Sequence, residues 1–233
     1  MSIKRIQADI REIQQTLYGE SGIFYQPNEQ DLTQGQACIF GPSGTPYEDC
    51  PMFYSFQFPA EYPFDSPKVM FETHDGHTRF HPNMYVQGKV CLSILGTWQG
   101  PAWSSILRIS SVLVTLQSLM TNNPLVHEPG YERAQEAVCS VYSRAVELGC
   151  IRYILNFAEG KISTPKFQPF VEEFQRRLPG TLDRLVVRLQ HRLADGGEKQ
   201  LINVPYGMDC GTNYKELLDR VVKLKSAFSA HVE

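Results

Sequence analysis

The stretch HPNMYVQGKVCLSIL, residues 81–95, places one amide side chain, Asn83, eight residues before one cysteine, Cys91. Pro82 has a fixed φ angle and biases the residue before it toward an extended conformation. Gln87-Gly88 is a dipeptide typical of a turn, which lets the chain double back. The pattern therefore predicts that Asn83 and Cys91 lie close together.

Cys91 is a candidate nucleophile. A thiolate that attacks a carbonyl, or a thioester that is attacked in turn, develops an oxyanion that a positioned amide stabilises. Asn83 is the candidate donor. The alternative is that residues 81–83 only build a turn and that Cys91 is an inert thiol, since free cysteines often pack as small apolar residues. The residue types alone leave both interpretations open.

The composition predicts a folded protein that works with other proteins. The chain has 233 residues, of which 42% are hydrophobic and 20% charged, enough to bury a core as one domain or as a domain with an appendage. The net charge is -3 and there is no basic run, which disfavours nucleic-acid and membrane-surface partners.

The cysteines indicate a reducing compartment. There are six, none in a CxxC pair, and the first residues contain no apolar signal region, so we expect free thiols and a cytoplasmic or nuclear location. Apart from Cys91, the cysteines are expected to be packing residues: Cys38, Cys50, Cys139, Cys150 and Cys210.

Hydrophobic periodicity in the first half predicts an α+β fold. Residues 2–18 have one apolar helical face, and residues 106–121 show the same periodicity. Three apolar runs between turn clusters predict strands of an antiparallel meander, with a fourth strand before residue 36. These runs are 36–41, 51–58 and 67–73. The apolar face of the first helix consists of Ile3, Ile6, Ile10, Ile13 and Leu17.

The second half is predicted to be helical. Residues 133–148 and 151–159 form one or two helices, with Gly149 between them. Further helices are expected at 166–178, 181–193 and 213–230, separated by Pro179-Gly180 and by the loop 195–211. We therefore divide the chain into a core, residues 1–158, and a helical C-terminal extension, residues 159–233.

A metal site is the weaker interpretation of the histidines. His74, His77 and His81 could be joined by Cys91, but Gly76 and Pro82 make the segment a loop, and no second cysteine lies at ligand spacing. We expect His81 to be a structural hydrogen-bonding residue instead, and no metal.

Several motifs together resemble the catalytic signature of ubiquitin-conjugating enzymes, the E2 family. They are residues 81–83, residues 88–95 and Trp103-Ser104, which match in order and spacing. The resemblance implies the UBC fold: an N-terminal helix, a four-stranded antiparallel meander, a central helix and C-terminal helices.

The resemblance also implies the reaction. Cys91 would accept ubiquitin or a ubiquitin-like protein as a thioester from an E1 activating enzyme and pass it to a substrate lysine or an E3 ligase. The chain would bind no cofactor, since the E1 uses the ATP. The alternative is a non-catalytic E2-like binding module, against which the retention of Cys91 with Asn83 argues. A cysteine protease with His81 paired to Cys91 is disfavoured by Pro82-Asn83.

The same resemblance assigns residues around the cysteine. Residues 125–132, here called the gate loop, resemble the E2 loop that flanks the cysteine. Glu128 matches its lysine-activating acid if a short insertion is allowed, with His127 as a second candidate. Many E2 enzymes have another acid two positions after the cysteine; here it is Ser93, expected to be a hydrogen-bonding neighbour.

Partner contacts follow by resemblance as well. The basic first helix suggests Lys4 and Arg5 as E1 contacts, and the loop with Pro63 and Phe64 suggests E3 contacts. Ser105 stands where the family usually has the proline of a Trp-Ser-Pro-Ala run, a departure that affects ligase recognition.

Within the family, the chain is similar to the E2Z type, whose members are charged by a dedicated activating enzyme and have a helical C-terminal extension. The motifs behind this likeness lie between Gly88 and Glu132. The E2 modules of giant hybrid E2/E3 proteins share the long loop before Trp103.

Overall fold

A computed structural model describes residues 2–16, 18–162, 164–196, 201–208, 211 and 213–230. Leu17 and Cys210, both included in the sequence predictions, lie outside these residues. Every description below refers to these residues, and for 229–230 to the backbone alone.

The first helix, α1, runs Ser2–Gln15 and ends before the predicted residue 18. Ile6, Ile10 and Ile13 are buried, as the periodicity predicts, while Ile3 is largely exposed. The core therefore covers only the inner part of the predicted apolar face.

The four strands of the predicted meander are confirmed. They are β1 Ile23–Pro27, β2 Gln34–Phe40, β3 Pro51–Gln57 and β4 Lys68–Phe71. Each pairs with the next in an antiparallel sheet of order β1-β2-β3-β4. β3 is buried along most of its length, because both faces of the sheet are covered at this strand.

The central helix, α2, runs Ile109–Ser118 and packs against α1, β1 and β2. It is shorter than the predicted 106–121. The three residues before Ile109 are not helical; instead the Arg5 guanidinium donates to the main-chain oxygens of Ser105, at 2.9 Å, and Leu107, at 2.7 Å. These contacts tie the start of α2 to α1.

Of the one or two helices predicted for 133–159, the structure has one. α3 is one continuous helix, Glu136–Ala158, and Gly149 does not interrupt it. This glycine lies against Thr78, whose Cγ2 would be 2.6 Å from an added Cβ, so close packing explains its presence.

The predicted break at Pro179-Gly180 is wrong, because α4 runs Val171–Ala194 through both residues. A proline inside a helix removes one main-chain hydrogen bond and costs roughly 3 kcal/mol. Buried apolar side chains continue on both sides of it, so tertiary packing outweighs that local cost. They are Phe174, Leu178, Leu182, Leu185 and Leu189.

The extension packs on the sheet through aromatic and ionic contacts. The ring centroids of Phe167 and Phe170, in a short 3₁₀ segment, lie 4.6 Å and 6.4 Å from that of Phe53 in β3. Arg184 in α4 donates to both carboxylate oxygens of Asp49 at 2.7 Å and 3.0 Å. The core and the extension therefore share one apolar core, and the boundary between 158 and 159 stays a prediction.

The last helix, α5, runs Tyr214–Ala230 and packs against α3 and α4. In the part of the chain that the structure describes, no helix is long and apolar enough to cross a membrane.

Candidate active site

Asn83 and Cys91 face each other across the turn. The Cys91 N–H donates to the Asn83 main-chain oxygen at 2.8 Å, and the Asn83 side-chain Nδ2 donates to the Cys91 main-chain oxygen at 2.7 Å. We call residues 81–91 the cysteine turn. Gly88 makes its reversal possible with a φ of 89°, close against the main-chain oxygen of Phe71. These two hydrogen bonds, one to the main chain of Asn83 and one from its side-chain amide, thus bracket the main chain of the cysteine.

The thiol is enclosed. Cys91 is 2% exposed and Asn83 is 8% exposed. The Asn83 Oδ1 has no hydrogen-bond donor among the residues that the structure describes. An electrophile could therefore reach the Cys91 Sγ only if the residues that cover it moved.

The segment after Cys91 is fixed by a residue that the sequence analysis missed. The Thr97 Oγ1 accepts from the Leu92 N–H at 2.9 Å and donates to the Val90 main-chain oxygen at 2.8 Å. Thr97 therefore binds the main chain of the residues on both sides of Cys91. Its place in a loop of glycines and tryptophans gave no signal of this contact.

Ser93 starts a short 3₁₀ turn, Ser93–Leu95, directly after the cysteine. The long loop before Trp103 comes close to Ser93: a Cβ on Gly100, where φ is 133°, would lie 2.9 Å from the Ser93 Cβ. Further along, the Trp103 Nε1 donates to the Pro63 main-chain oxygen at 2.7 Å. The loop therefore approaches Ser93 at its middle and is bound to the Pro63 main chain at its end.

His81 uses both ring nitrogens within the fold. Its Nδ1 accepts from the Asn83 N–H at 2.9 Å, and its Nε2 lies 3.0 Å from the His127 Nδ1. Neither nitrogen pairs with the thiol, which argues against the cysteine protease. Among the described residues there is no group of three His, Cys, Asp or Glu side chains that could hold a metal ion.

Both histidines of this pair favour the neutral form. Burial, followed by the charge that His127 would carry, lowers the pKa of His81 to about 3. Burial also lowers the pKa of His127. The hydrogen bond between the cysteine turn and the gate loop therefore joins two neutral rings at physiological pH.

This shift predicts a loss of stability in mild acid. At pH values below about 6.5, the pKa of a histidine in an unfolded chain, His81 binds a proton in the unfolded state but not in the folded state. The free energy of unfolding therefore decreases as the pH is lowered. We expect a His81 contribution of about 1.4 kcal/mol between pH 7.5 and 5.5, measured by urea unfolding. His81→Asn should flatten the slope, while His74→Gln, at an exposed histidine, should keep it. Equal slopes in wild type and His81→Asn would contradict the assignment.

The gate loop brings Glu128 to a partner from the extension. Glu128 follows a 3₁₀ turn, Pro124–His127, and its Oε2 accepts from the Tyr206 hydroxyl at 2.6 Å. His127, the second candidate, is already bound to His81. No motif in the sequence points to Tyr206, which lies within the predicted loop 195–211.

The predicted partner contacts differ in accessibility. Lys4 is exposed, and Phe64 is 68% exposed on its proline-rich loop. The Arg5 Nε donates to buried Asp9 at 2.8 Å, so this guanidinium is held within the fold and is less available to an E1. Ser105 is half-buried, beside Ile106, which is 80% exposed. The roles of all these residues as contacts stay predictions.

Comparisons with known proteins agree with this geometry. A family model described as "Ubiquitin-conjugating enzyme" matches residues 5–147. Ubiquitin-conjugating enzyme E2 Z of Homo sapiens is 39% identical over 223 residues, which cover 93% of this chain and 61% of that protein. The Danio rerio E2 Z is 44% identical over 169 residues, covering 70% of this chain and 50% of that protein.

A hybrid protein is also similar. The dual E2 ubiquitin-conjugating enzyme/E3 ubiquitin-protein ligase BIRC6 of Homo sapiens is 42% identical over 128 residues, which cover 51% of this chain and 3% of that protein. The chain spans about half to three fifths of the E2 Z proteins it matches. The chain has a four-stranded antiparallel sheet, a hydrogen bond from Asn83 to the main chain of Cys91, and similarity to the E2Z type. Together with these features, the match over residues 5–147 shows that the chain belongs to the ubiquitin-conjugating enzyme (E2) family and has the UBC fold.

Proposed function

We propose that the chain accepts ubiquitin or a ubiquitin-like protein on Cys91 and transfers it to a substrate lysine or an E3 ligase. The observation that carries the proposal is the bracket of two hydrogen bonds between Asn83 and Cys91, at 2.8 Å and 2.7 Å, in a chain of the E2 family. It places a buried amide directly beside the main chain of the only cysteine that matches the family signature.

The reaction consists of two acyl transfers, first from the E1 thiol to Cys91 and then from Cys91 to a lysine amine. The Cys91 thiolate attacks the thioester carbonyl on the E1, a new C–S bond forms, and the E1 thiolate leaves. A lysine amine then attacks the Cys91 thioester, the amide bond forms, the amine loses its proton and the Cys91 thiolate leaves. Each attack passes through an oxyanion.

The second exchange needs a deprotonated lysine. A free lysine has a pKa of about 10.4, roughly three units above neutrality, and closing that gap is worth about 4 kcal/mol. Desolvation lowers the pKa of the lysine, whereas a carboxylate orients the amine. Ser93 has no charge for this task, so we assign the orienting role to Glu128 in the gate loop.

The burial of Cys91 is the observation that favours the second candidate, a non-catalytic E2-like binding module. A thiol that is 2% exposed is not ready for attack as it stands. The two candidates differ in one measurable property, the ability to form a thioester.

The test combines the wild-type chain with an activating enzyme, ATP and ubiquitin, and follows the adduct on non-reducing gels. The proposal expects an adduct that a thiol reagent removes, and an established E2 serves as the control for the activating enzyme. If the control is charged and this chain forms no adduct with ubiquitin or with ubiquitin-like proteins and their own activating enzymes, the binding module is the better interpretation.

The proposed reaction requires several partner proteins. Its partners would be the modifier, an E1, an E3 and a substrate lysine, and the ATP would be consumed by the E1. The described cysteines are unpaired, which supports a cytoplasmic or nuclear location: Cys38, Cys50, Cys91, Cys139 and Cys150.

A further inference from the structure

The carboxylate of Glu128 has a partner that the E2 core does not supply. Tyr206 lies in the segment 204–208 between α4 and α5, and its hydroxyl donates to the Glu128 Oε2 at 2.6 Å. The C-terminal extension therefore contacts the residue assigned to orient the acceptor lysine.

Tyr206 is held in place from several sides. Its ring makes an edge contact with Tyr142 of α3, with centroids 5.6 Å apart, and the Arg79 guanidinium lies 5.1 Å from its centroid. Val204 and Met208 on either side of it are buried. Tyr206 has a φ of 64°, a conformation that residues with a side chain rarely adopt, so the packing around it fixes this backbone.

Arg79 joins the same segment to the cysteine turn. Its main-chain N–H donates to the Met208 Sδ at 3.2 Å, and its guanidinium donates to the main-chain oxygens of His81, at 3.1 Å, and Pro82, at 2.7 Å. The guanidinium also stacks on Tyr85, 3.3 Å from the ring centroid. Arg79 thus connects the extension, through its main chain, to the residues that precede Asn83, through its side chain.

The gate loop closes this network. His127, the neighbour of Glu128, is hydrogen-bonded to His81, whose other ring nitrogen accepts from Asn83. Segment 204–208, the gate loop and the cysteine turn are therefore connected through a chain of side-chain contacts.

A hydrogen bond to one oxygen changes what a carboxylate can do. The terminal torsion of a glutamate is broad, so a free carboxylate samples many orientations. A donor on Oε2 restricts that rotation and leaves Oε1 to accept a hydrogen bond from an amine. Burial and the neighbouring Glu128 carboxylate raise the pKa of Tyr206, so the phenol stays protonated and remains a donor at neutral pH.

We propose that Tyr206 is a positioning residue for transfer to lysine: its hydroxyl orients the Glu128 carboxylate toward the acceptor amine. The C-terminal extension then completes the lysine-attack site of the E2 core. This inference rests on the proposed function, because it needs a Cys91 thioester to discharge.

The test separates charging from discharge. The full chain is charged, the E1 and ATP are removed, and the decay of the thioester is followed in single turnover against free lysine. Tyr206→Phe keeps the ring and removes the hydroxyl, and we expect its second-order rate constant for lysine to fall roughly fivefold to tenfold, the size of one lost hydrogen bond of average net strength. Decay with a small thiol, which needs no oriented carboxylate, should stay within about twofold of wild type.

A second pair of variants shows whether Tyr206 acts through Glu128. Glu128→Ala should slow lysine discharge by itself, and adding Tyr206→Phe to it should slow it no further. The matched control is Tyr18→Phe, which removes another phenol-to-carboxylate bond, from Tyr18 to the Glu12 Oε1 at 3.1 Å, and should leave the discharge rate unchanged.

The outcomes separate this inference from the proposed function. Wild type that charges and discharges, with Tyr206→Phe equal to it, overturns the role of Tyr206 alone. Parallel losses with lysine and with thiol, or an additional loss in the Glu128→Ala background, would show a merely structural contact and also overturn it. Failure of the wild type to charge removes the proposed function and this inference together.

Discussion

Replacing Cys91 by alanine is expected to abolish the ubiquitin adduct entirely, because the variant has no thiolate at the position where Asn83 brackets the main chain. Cys91→Ser should form only an adduct that resists thiol reagents, since the acyl group is then held by an oxygen ester. Both variants are charged under the same conditions as wild type and compared on non-reducing gels. The difference between no adduct and a reductant-resistant adduct identifies the attacking atom.

Two of the other described cysteines are poor alternatives to Cys91. Burial raises the pKa of the Cys38 and Cys150 thiols, so little thiolate forms there at neutral pH. Cys139→Ala is the matched control, since it removes another buried thiol and should charge like wild type. An adduct that persists in Cys91→Ala would assign the thioester to a different cysteine.

The first helix and the strands could be predicted from the sequence because each depends on the spacing of neighbouring residues. The apolar spacing of Ile6, Ile10 and Ile13 requires a helix, and the alternation of apolar runs with turn clusters requires strands. Two exceptions are explained by tertiary contacts. α4 passes through Pro179 because its apolar face continues beyond it. The segment before Ile109 is not helical, and Arg5 binds the main-chain oxygens of Ser105 and Leu107 there. Neither effect is visible in a window of neighbouring residues.

The same difference between local and long-range contacts decides which parts of the candidate site could be predicted. Gln87-Gly88 and Pro82 predicted the approach of Asn83 to Cys91, which are only eight residues apart in the chain. Tyr206 and Glu128 are 78 residues apart, and their contact exists only because the extension packs against the core. A single tyrosine in a loop gives no local sign of such a contact, so no pattern in the sequence predicts it.

Two roles for Asn83 remain compatible with its contacts. In the structure its Nδ2 is bound to the Cys91 main-chain oxygen, so the amide stabilises the cysteine turn. To stabilise an oxyanion it would have to give up that bond when the carbonyl is attacked. The backbone bond from the Cys91 N–H to the Asn83 oxygen does not depend on the side chain, so part of the turn persists without the amide.

Asn83→Ala is therefore expected to separate the two half-reactions. We expect lysine discharge to fall on the order of 100-fold, the effect of losing one oxyanion donor, while charging falls less than about tenfold. The free energy of unfolding should fall by about 1–3 kcal/mol, because the buried Cys91 oxygen loses its donor. Rates of charging and of single-turnover discharge, with urea unfolding, measure the three effects. Asn156→Ala, which removes an amide contact to Arg220 between α3 and α5, controls for a general loss of stability. Equal losses in charging and discharge would contradict a specific role of Asn83 in lysine discharge.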